Sequence, residues 1–562
     1  MALSMAAKSD SSMPKGIALI GSNVAAIQAA FTLAQMGIEV KLITNSAALG
    51  WDAATNSVLD NSPLDQRFLW PLLLRTMSHP LVTLYTNTKI ESIQGEKGNF
   101  KIQVVQHPRY IDETLCTGCG RCQDACSVKL TSLLKGQKIT HSAIHMPLLG
   151  TKAVPSAYVI DKNGLAPCQV ACPLGINVQG FVSLLANGKV DKALALINEA
   201  APLAGILGRV CKHPCEDNCN RVKVDSPVSI RALHRYAADN ALAGIKYSRK
   251  FPAKSRDGKI AIVGSGPAGL TAAWELTRLG YSPVVFESHG VIGGMLATGI
   301  PRFRLPREVR EREIEAIRNL GIDVRTGITV GRDVTFAYLK ERGYQAFFLS
   351  IGAQRNNKLN IPGEELEEVM DCMPLLLTLN LKVDTKVDTF VDLNVAVIGG
   401  GNAAIDAART VLRSGAKKVT IFYRRTRAEM PANPEEVEEA IKEGVKIEYR
   451  TLPVEILGDG GKVTGIRCQR TKLSDEIMAN GRHKPEPIPG TDFVTHADYV
   501  VVAIGQSPNA SQLDMEGLAI DSNTGVIQVN PLTLETSVPG IFAGGDCISG
   551  PNNVVEAMAA GL

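Results

Sequence analysis

The stretch 259–280, KIAIVGSGPAGLTAAWELTRLG, constrains the chain most. An apolar run from Lys259 to Val263 meets Gly264, Gly266 and Gly269 in the order G-x-G-x-x-G, and a helical pattern follows. Such a segment reads as strand, tight turn and helix. The first glycine permits the turn, the second lets the backbone approach a pyrophosphate, and the third lets the helix pack on the strand. The helix N-terminus then faces the phosphates. The next strand, SPVVFE, ends in Glu287, at the distance of a ribose hydroxyl, and Gly293 and Gly294 follow in GVIGGM. Together these features predict an α/β domain that binds a dinucleotide.

Two further segments have the same plan. In NVAVIGGGNAAIDAARTVLRSGAKKVTIFYRR, Gly399, Gly401 and Ala404 give the G-x-G-x-x-A variant, with Asn402 inside the turn. Its second strand ends in Arg424 and Arg425, where arginine can pair with the 2′-phosphate of NADP and an acid would repel it. NADP(H) is therefore expected, with NAD(H) left open because neighbouring loops can reset the preference. In GIALIGSNVAAIQAAFTLAQMGIEVKLIT only Gly21 survives; Asn23 and Ala26 replace the other glycines and no acid closes the second strand. A Rossmann-like unit that has lost its nucleotide is expected there. Near the end, GIFAGGDCISGPNNVVEAMAAGL offers a strand, Gly544, Gly545 and Asp546, then a helix. In two-dinucleotide flavoproteins such an aspartate contacts the ribityl or pyrophosphate region. The last helix runs only about two turns to Leu562, so the natural protein is expected to continue.

Cysteine carries the remaining signal. Of 12, nine fall between Cys116 and Cys219 in a chain of 562 residues. Disulfide scaffolds are usually short and cysteine-dense throughout. The N-terminus has no basic segment followed by an apolar core, and no apolar run reaches the ~18 residues of a membrane span. A reducing cytoplasm, and cysteines that bind metal, are expected. Cys116, Cys119, Cys122 and Cys126 have the spacing C-x2-C-x2-C-x3-C of a [4Fe–4S] ferredoxin loop, with a zinc knuckle as the alternative. Cys168 and Cys172 lie in CQVACP; Cys211, Cys215 and Cys219 lie in CKHPCEDNC. A formal charge of +4 and the absence of a Lys/Arg block argue against nucleic acid.

The motifs APCQVACPLGINVQGFVSLLANG, LGRVCKHPCEDNCNR, GSGPAGLTAAWEL, GGMLATGIPRFRLP, VIGGGNAAIDAART, YRRTRAEMPA and IFAGGDC resemble, from about residue 165 onward, the small subunit of NADPH-dependent glutamate synthase. They are also similar to the flavin subunit of NADH-dependent ferredoxin:NADP oxidoreductase and the N-terminal half of dihydropyrimidine dehydrogenase. The first 160 residues partly resemble the flavin subunit of heterodisulfide reductase, without that family's intact Gly-rich turn. The resemblance implies FAD on the first intact turn, with Met295, Arg304 and Gly352 near it. It implies NAD(P)H on the second turn and iron–sulfur clusters in a helical module. These families carry an extra C-x2-C before Cys168, which this chain lacks. One dehydrogenase cluster uses a non-cysteine ligand shortly after the Cys-rich motif. His234 stands near that place, so the resemblance implies a cluster held by Cys172, Cys211, Cys215 and His234, or a plain helical histidine. Cys168 and Cys219 are then expected to share ligands with the 116–126 group. Two clusters follow from the count, or three.

The expected architecture is a glutathione-reductase-like, two-dinucleotide-binding-domain α/β flavoprotein with a helical iron–sulfur domain and a degenerate N-terminal Rossmann-like unit. Its expected parts are a flexible tail (1–15), the degenerate unit (16–108), a ferredoxin-like loop (109–150), the helical module (151–250), an FAD domain (251–380 and 506–562) and an inserted nicotinamide domain (381–505). The acids of EEVEEAIKEGVKIEY read as surface charge, and Arg302, Arg304 and Arg307 as steadying cofactor phosphates or pairing at the surface. The expected function is an NAD(P)H-dependent oxidoreductase subunit passing electrons between nicotinamide, FAD and clusters and an external protein or carrier, in a hetero-oligomer. It would run forward, in reverse or as a bifurcating flavoprotein. A non-catalytic electron-transfer adaptor and a heterodisulfide-reductase-type subunit are the alternatives. No Ser/His/Asp nucleophile set is apparent, and the chemistry belongs to the cofactors.

Overall fold

The computed structural model describes residues 2–6, 16–49, 63–96, 98–126, 128–134, 137–147, 154–161, 165–242, 244–245, 256–381, 390–478 and 481–562. They form two compact units, Met1–Leu165 with Asn220–Ser226, and Ala166–Cys219 with Pro227–Leu562.

In the first unit, strands Gly16–Ile20, Glu39–Ile43 and Val82–Tyr85 pair in parallel, with helices Val24–Gln35 and Pro63–Met77. Ile27, Ala30, Val40, Leu42 and Leu73 are the core of this layer. Asn23 accepts the Ala26 N–H through its own side chain at 2.9 Å. It thus caps the helix and occupies an amide that a phosphate would otherwise contact. A three-stranded antiparallel sheet follows, ordered Ala2–Ala6, Asn99–Gln106, Thr88–Glu96. The expected flexible tail is corrected here: Ala2–Ala6 pairs with the edge at 101–105. The uncharged segment ALSMA needs only backbone hydrogen bonds to do so. Residues 7–15 lie outside the described set.

The second unit opens with short helices, Pro167–Val170, Val178–Ala186, Val190–Ile197, Ala204–Val210, Pro214–Asp217 and Ile230–Asn240. Next comes a parallel sheet in the order Asp323–Thr326, Ser282–Glu287, Lys259–Val263, Tyr344–Leu349, Ile541–Ala543. Ala261, Ile262 and Val263 are all buried, because helices cover both faces. Phe181, Ile197 and Leu207 of the helical module share one core with Leu270, Trp274 and Val555 of this domain.

A second parallel sheet is ordered Val369–Asp371, Tyr499–Val502, Asn394–Ile398, Lys418–Tyr423, Lys446–Tyr449. Arg355–Asn356 and Gln506–Ser507 pair where the chain passes between the sheets. The boundary expected at 380/381 therefore moves earlier: Val369–Asp371 is an edge strand of the second sheet, and Cys372, Leu375 and Leu376 pack in its core. A three-residue strand leaves too short a pattern to assign it to either sheet. A four-stranded antiparallel sheet (Thr451–Asp459, Lys462–Ile477, His483–Pro487, Phe493–His496) follows the fifth strand.

Candidate functional site: a two-nucleotide cavity beside a cysteine cage

One cavity of about 1220 Å³ runs between the two parallel sheets of the second unit. That exceeds the ~300–1,000 Å³ usual for one small ligand. At one end the Gly264 and Gly269 positions are filled by backbone: a Cβ would lie 2.3 Å from the Ser350 carbonyl oxygen and 2.0 Å from that of Gly264. A Cβ on Gly266 would meet nothing within 4 Å, so this glycine faces open cavity at the start of helix Pro267–Arg278. Buried Glu287 accepts the Ser265 N–H at 3.0 Å and hydroxyl at 2.5 Å, and the His289 N–H at 2.8 Å. It fixes the turn while lining the cavity with Gly294, Met295, Gly352, Gly545 and Asp546. Burial pushes the Asp546 carboxyl up to about 6, and its recorded donor is the Asn552 N–H at 3.3 Å. An acceptor with spare capacity suits a polyol, and the open amides at Gly266 suit a pyrophosphate. The residues fit FAD.

The second turn repeats the device. Gly399 is closed by the Ala503 carbonyl, while Gly401 faces open space at the start of helix Asn402–Arg413. Ala404 is fully buried where the helix meets its strand, and Asn402 accepts the Asn433 N–H at 2.8 Å. Arg424, Arg425 and Arg482 all line this end, and the first is exposed to the cavity. Arg425 is 2% exposed and donates to the His483 carbonyl at 2.8 Å and to the Met478 sulfur at 3.0 Å. Arg482 carried no signal in the sequence, because it lies 57 positions past Arg425 in a polar hairpin.

Between the two ends lies a network of charges. Arg304 Nη1 donates to Asp406 at 2.6 Å, and its Nε lies 3.1 Å from Glu436. Arg409 pairs with Glu436 and Glu443, and Arg413 with Glu443. Phe303 lies beneath Arg409 and Arg413, with guanidinium carbons 4.8 and 4.4 Å from its ring centroid. Burial pushes Asp406 up to about 7 despite Arg304 beside it. Two expectations change. Arg304 lines the cavity but is ion-paired across the two nucleotide domains. Glu436 and Glu443 are not plain surface charge; they hold that junction, while Glu435 pairs with Arg231 at 2.6 Å. Arg302 donates to the Asn380 carbonyl and Arg307 pairs with Glu311.

A second, small cavity is lined by Cys172, Cys211, Cys215 and His234, with Ile176, Phe181, Leu207, Ile230 and Val555 around them. Burial pushes the Cys211 thiol up to about 11 and Cys215 to about 12, and holds His234 down to about 4. The His234 Nε2 is buried without a hydrogen bond. An orphaned imidazole nitrogen facing buried thiols fits a positive centre, whose charge is what ionises such thiols. The Cys211 sulfur also accepts the His213 N–H at 3.3 Å. Burial raises the Cys168 thiol, and half-buried Cys219 adds to the rise. In the first unit, burial raises the Tyr158 hydroxyl, with Cys122, Asp124, Cys119 and Cys116 adding to the rise, and Cys126 points to the Val128 carbonyl at 3.4 Å. Among the described residues no group of three or more His, Cys, Asp or Glu side chains is drawn together around a single point. Cys372, Cys468 and Cys547 are buried singly.

The fold and cavity define a reductase with two dinucleotide-binding domains, joined to cysteine-rich electron-transfer modules. Comparison with known proteins agrees. Residues 258–561 match the model of the pyridine nucleotide-disulphide oxidoreductases, 161–245 that of dihydropyrimidine dehydrogenase domain II with its 4Fe-4S cluster, and 109–129 a 4Fe-4S binding domain. The chain is 41% identical over 420 residues to the NADP(+)-dependent formate dehydrogenase subunit beta of Moorella thermoacetica, covering 70% of this chain and 58% of the relative. It is 34% identical over 449 residues to the glutamate synthase [NADPH] small chain of Escherichia coli K12, covering 76% of this chain and 93% of the relative. Among solved structures, Mycobacterium tuberculosis FprA in complex with NADPH is similar at 21% identity and TM-score 0.46, over 54% of this chain and 83% of that one. The chain belongs to the pyridine nucleotide-disulphide oxidoreductases, in the family of the glutamate synthase small chain, and its cofactors are FAD, NADP(H) or NAD(H), and [4Fe–4S] clusters. No helix among the described residues is long and apolar enough to cross a membrane.

Proposed function

We propose that this chain is the NADPH-oxidising subunit of a larger redox enzyme, exchanging electrons between nicotinamide, FAD and iron–sulfur clusters and a partner protein. One observation carries the reading. Val554 lines the nucleotide cavity and Val555 the cysteine cage, and on the other side Val210 and Lys212 line the first while Cys211 lines the second. Consecutive residues of the chain thus line the two sites. FAD, when bound, exchanges a hydride with the nicotinamide and single electrons with a cluster.

The protein's own part is positional. Gly266 and Gly401 open two helix N-termini to the phosphates, and Glu287 and Asp546 accept from hydroxyls. The Arg304–Asp406 pair sets the two domains in register across the cavity. Cys172, Cys211, Cys215 and His234 hold the cluster next to the flavin site, and Cys116, Cys119, Cys122 and Cys126 hold another in the first unit. The test is anaerobic stopped-flow mixing of the flavin-loaded protein with NADPH or NADH. Flavin bleaching followed by cluster reduction is expected with NADPH; bleaching by neither nucleotide would refute the reading and favour a non-catalytic electron carrier.

A further inference from the structure

The arginines at the end of the second nucleotide turn divide into two roles. Arg425 is enclosed. Its Nε donates to the His483 carbonyl and its Nη2 lies against the Met478 sulfur, so both recorded contacts go to the hairpin that carries Arg482. Met478 in turn donates its N–H to the Arg482 carbonyl at 2.9 Å, and His483 donates its N–H to Glu429 at 3.0 Å. The same hairpin is tied beneath Arg424, whose carbonyl accepts the Thr471 hydroxyl at 2.7 Å. These bonds fix Arg482 at the cavity wall that Arg424 also lines.

Arg424 has no protein acceptor among the described residues. Apart from burial, the groups that act on it are Arg425, Tyr423 and Arg482, with no carboxylate among them. Arg424 thus stands at a cavity wall beside other cations, at the end of the strand after a nucleotide-binding turn, where a bound anion would stabilise it.

We infer that Arg482 completes, with Arg424, the seat for the 2′-phosphate of NADP(H), and that Arg425 positions Arg482 through the hairpin instead of touching the nucleotide. The inference rests on the proposed nicotinamide role of this turn and adds to it the residue that selects NADPH over NADH. The sequence assigns Arg424 and Arg425 to the phosphate as a pair. The structure keeps the first, replaces the second and gives it a bracing role.

Titration calorimetry of the flavin-loaded protein with 2′,5′-ADP and 5′-AMP separates the possibilities, since the two ligands differ only in the phosphate under test. Arg482→Ala and Arg424→Ala are each expected to weaken 2′,5′-ADP by roughly 10- to 100-fold, the range for losing one charge-assisted contact. Affinity for 5′-AMP should stay within about twofold on the same scale. Arg425→Met should weaken 2′,5′-ADP in the native background but cost nothing further in the Arg482→Ala background, because it acts through that residue. An unchanged 2′,5′-ADP affinity in Arg482→Ala overturns the assignment of Arg482. Additive losses in the double variant overturn the bracing role of Arg425. Wild-type protein that binds neither ligand overturns the nicotinamide reading beneath both.

Discussion

Glu313→Gln should remove a pH dependence from the helix that leads into the cysteine cage. Glu313 lies on helix Arg307–Arg318 of the FAD domain and is 1% exposed. Its carboxylate accepts the N–H of Gly205 and, at 2.9 Å, that of Ile206. These amides lie in the first turn of helix Ala204–Val210, which delivers Cys211. Burial raises the carboxyl from 4.5 to about 7. The sign follows from linkage: the packed state holds the proton more tightly than the opened state. The penalty is therefore absent below pH ~4.5, grows as pH rises through the opened-state value, and is complete above ~7. At 1.36 kcal/mol per pH unit it comes to roughly 3 kcal/mol, about two decades in a local opening constant. Hydrogen exchange of the peptide around 203–211, corrected for intrinsic rates, reads this directly. Wild-type protection should fall by on the order of 100-fold between pH 5 and 8. Glu313→Gln, which keeps the shape and never ionises, should give a flat profile. Glu313→Ala should lose protection at all pH values, because two buried N–H groups lose their acceptor at ~1–3 kcal/mol each. A flat wild-type profile, or native protection in Glu313→Ala, would refute the reasoning.

Other expectations follow from the same structure. Gly269→Ala forces a Cβ to within 2.0 Å of the Gly264 carbonyl oxygen, whereas Gly266→Ala meets only open space. The first should lower the melting temperature by circular dichroism, and the second should fold normally but elute without flavin absorbance. Arg304→Ala leaves the buried Asp406 carboxylate without its guanidinium, a loss typically worth ~3–5 kcal/mol for a buried pair. NADPH should then bleach the flavin at least tenfold more slowly while nucleotide affinity holds, and an unchanged rate would show that the junction does not position the domains. Cys215→Ala and His234→Ala should both lower iron and sulfide content, and His234→Cys should restore it and shift the EPR signal of the reduced cluster to a lower potential, because imidazole ligation raises it. Full iron content in His234→Ala would return His234 to an ordinary core residue.

The parts of this protein legible in its sequence are those built from neighbours along the chain. Gly264, Gly266 and Gly269 specify a turn within six residues, and the C-x2-C-x2-C-x3-C run specifies a loop within eleven, because backbone sterics and ligand spacing act over that range. The same locality exposed the worn first turn at Asn23. Tertiary structure decided what depends on distant partners. Arg304 meets Asp406 across 102 positions, and Glu313 meets Gly205 across 108. A carboxylate on an amphipathic helix reads the same whether it faces water or a guanidinium from another domain, so the acids of Pro434–Glu443 gave no sign of the junction they hold. Arg425 and Arg482 make the point most sharply. Adjacency to the strand end is all the sequence shows of Arg425; the fold adds its bonds to His483 and Met478 of the hairpin. Folding of that hairpin then brings Arg482, from far along the chain, to the cavity beside Arg424.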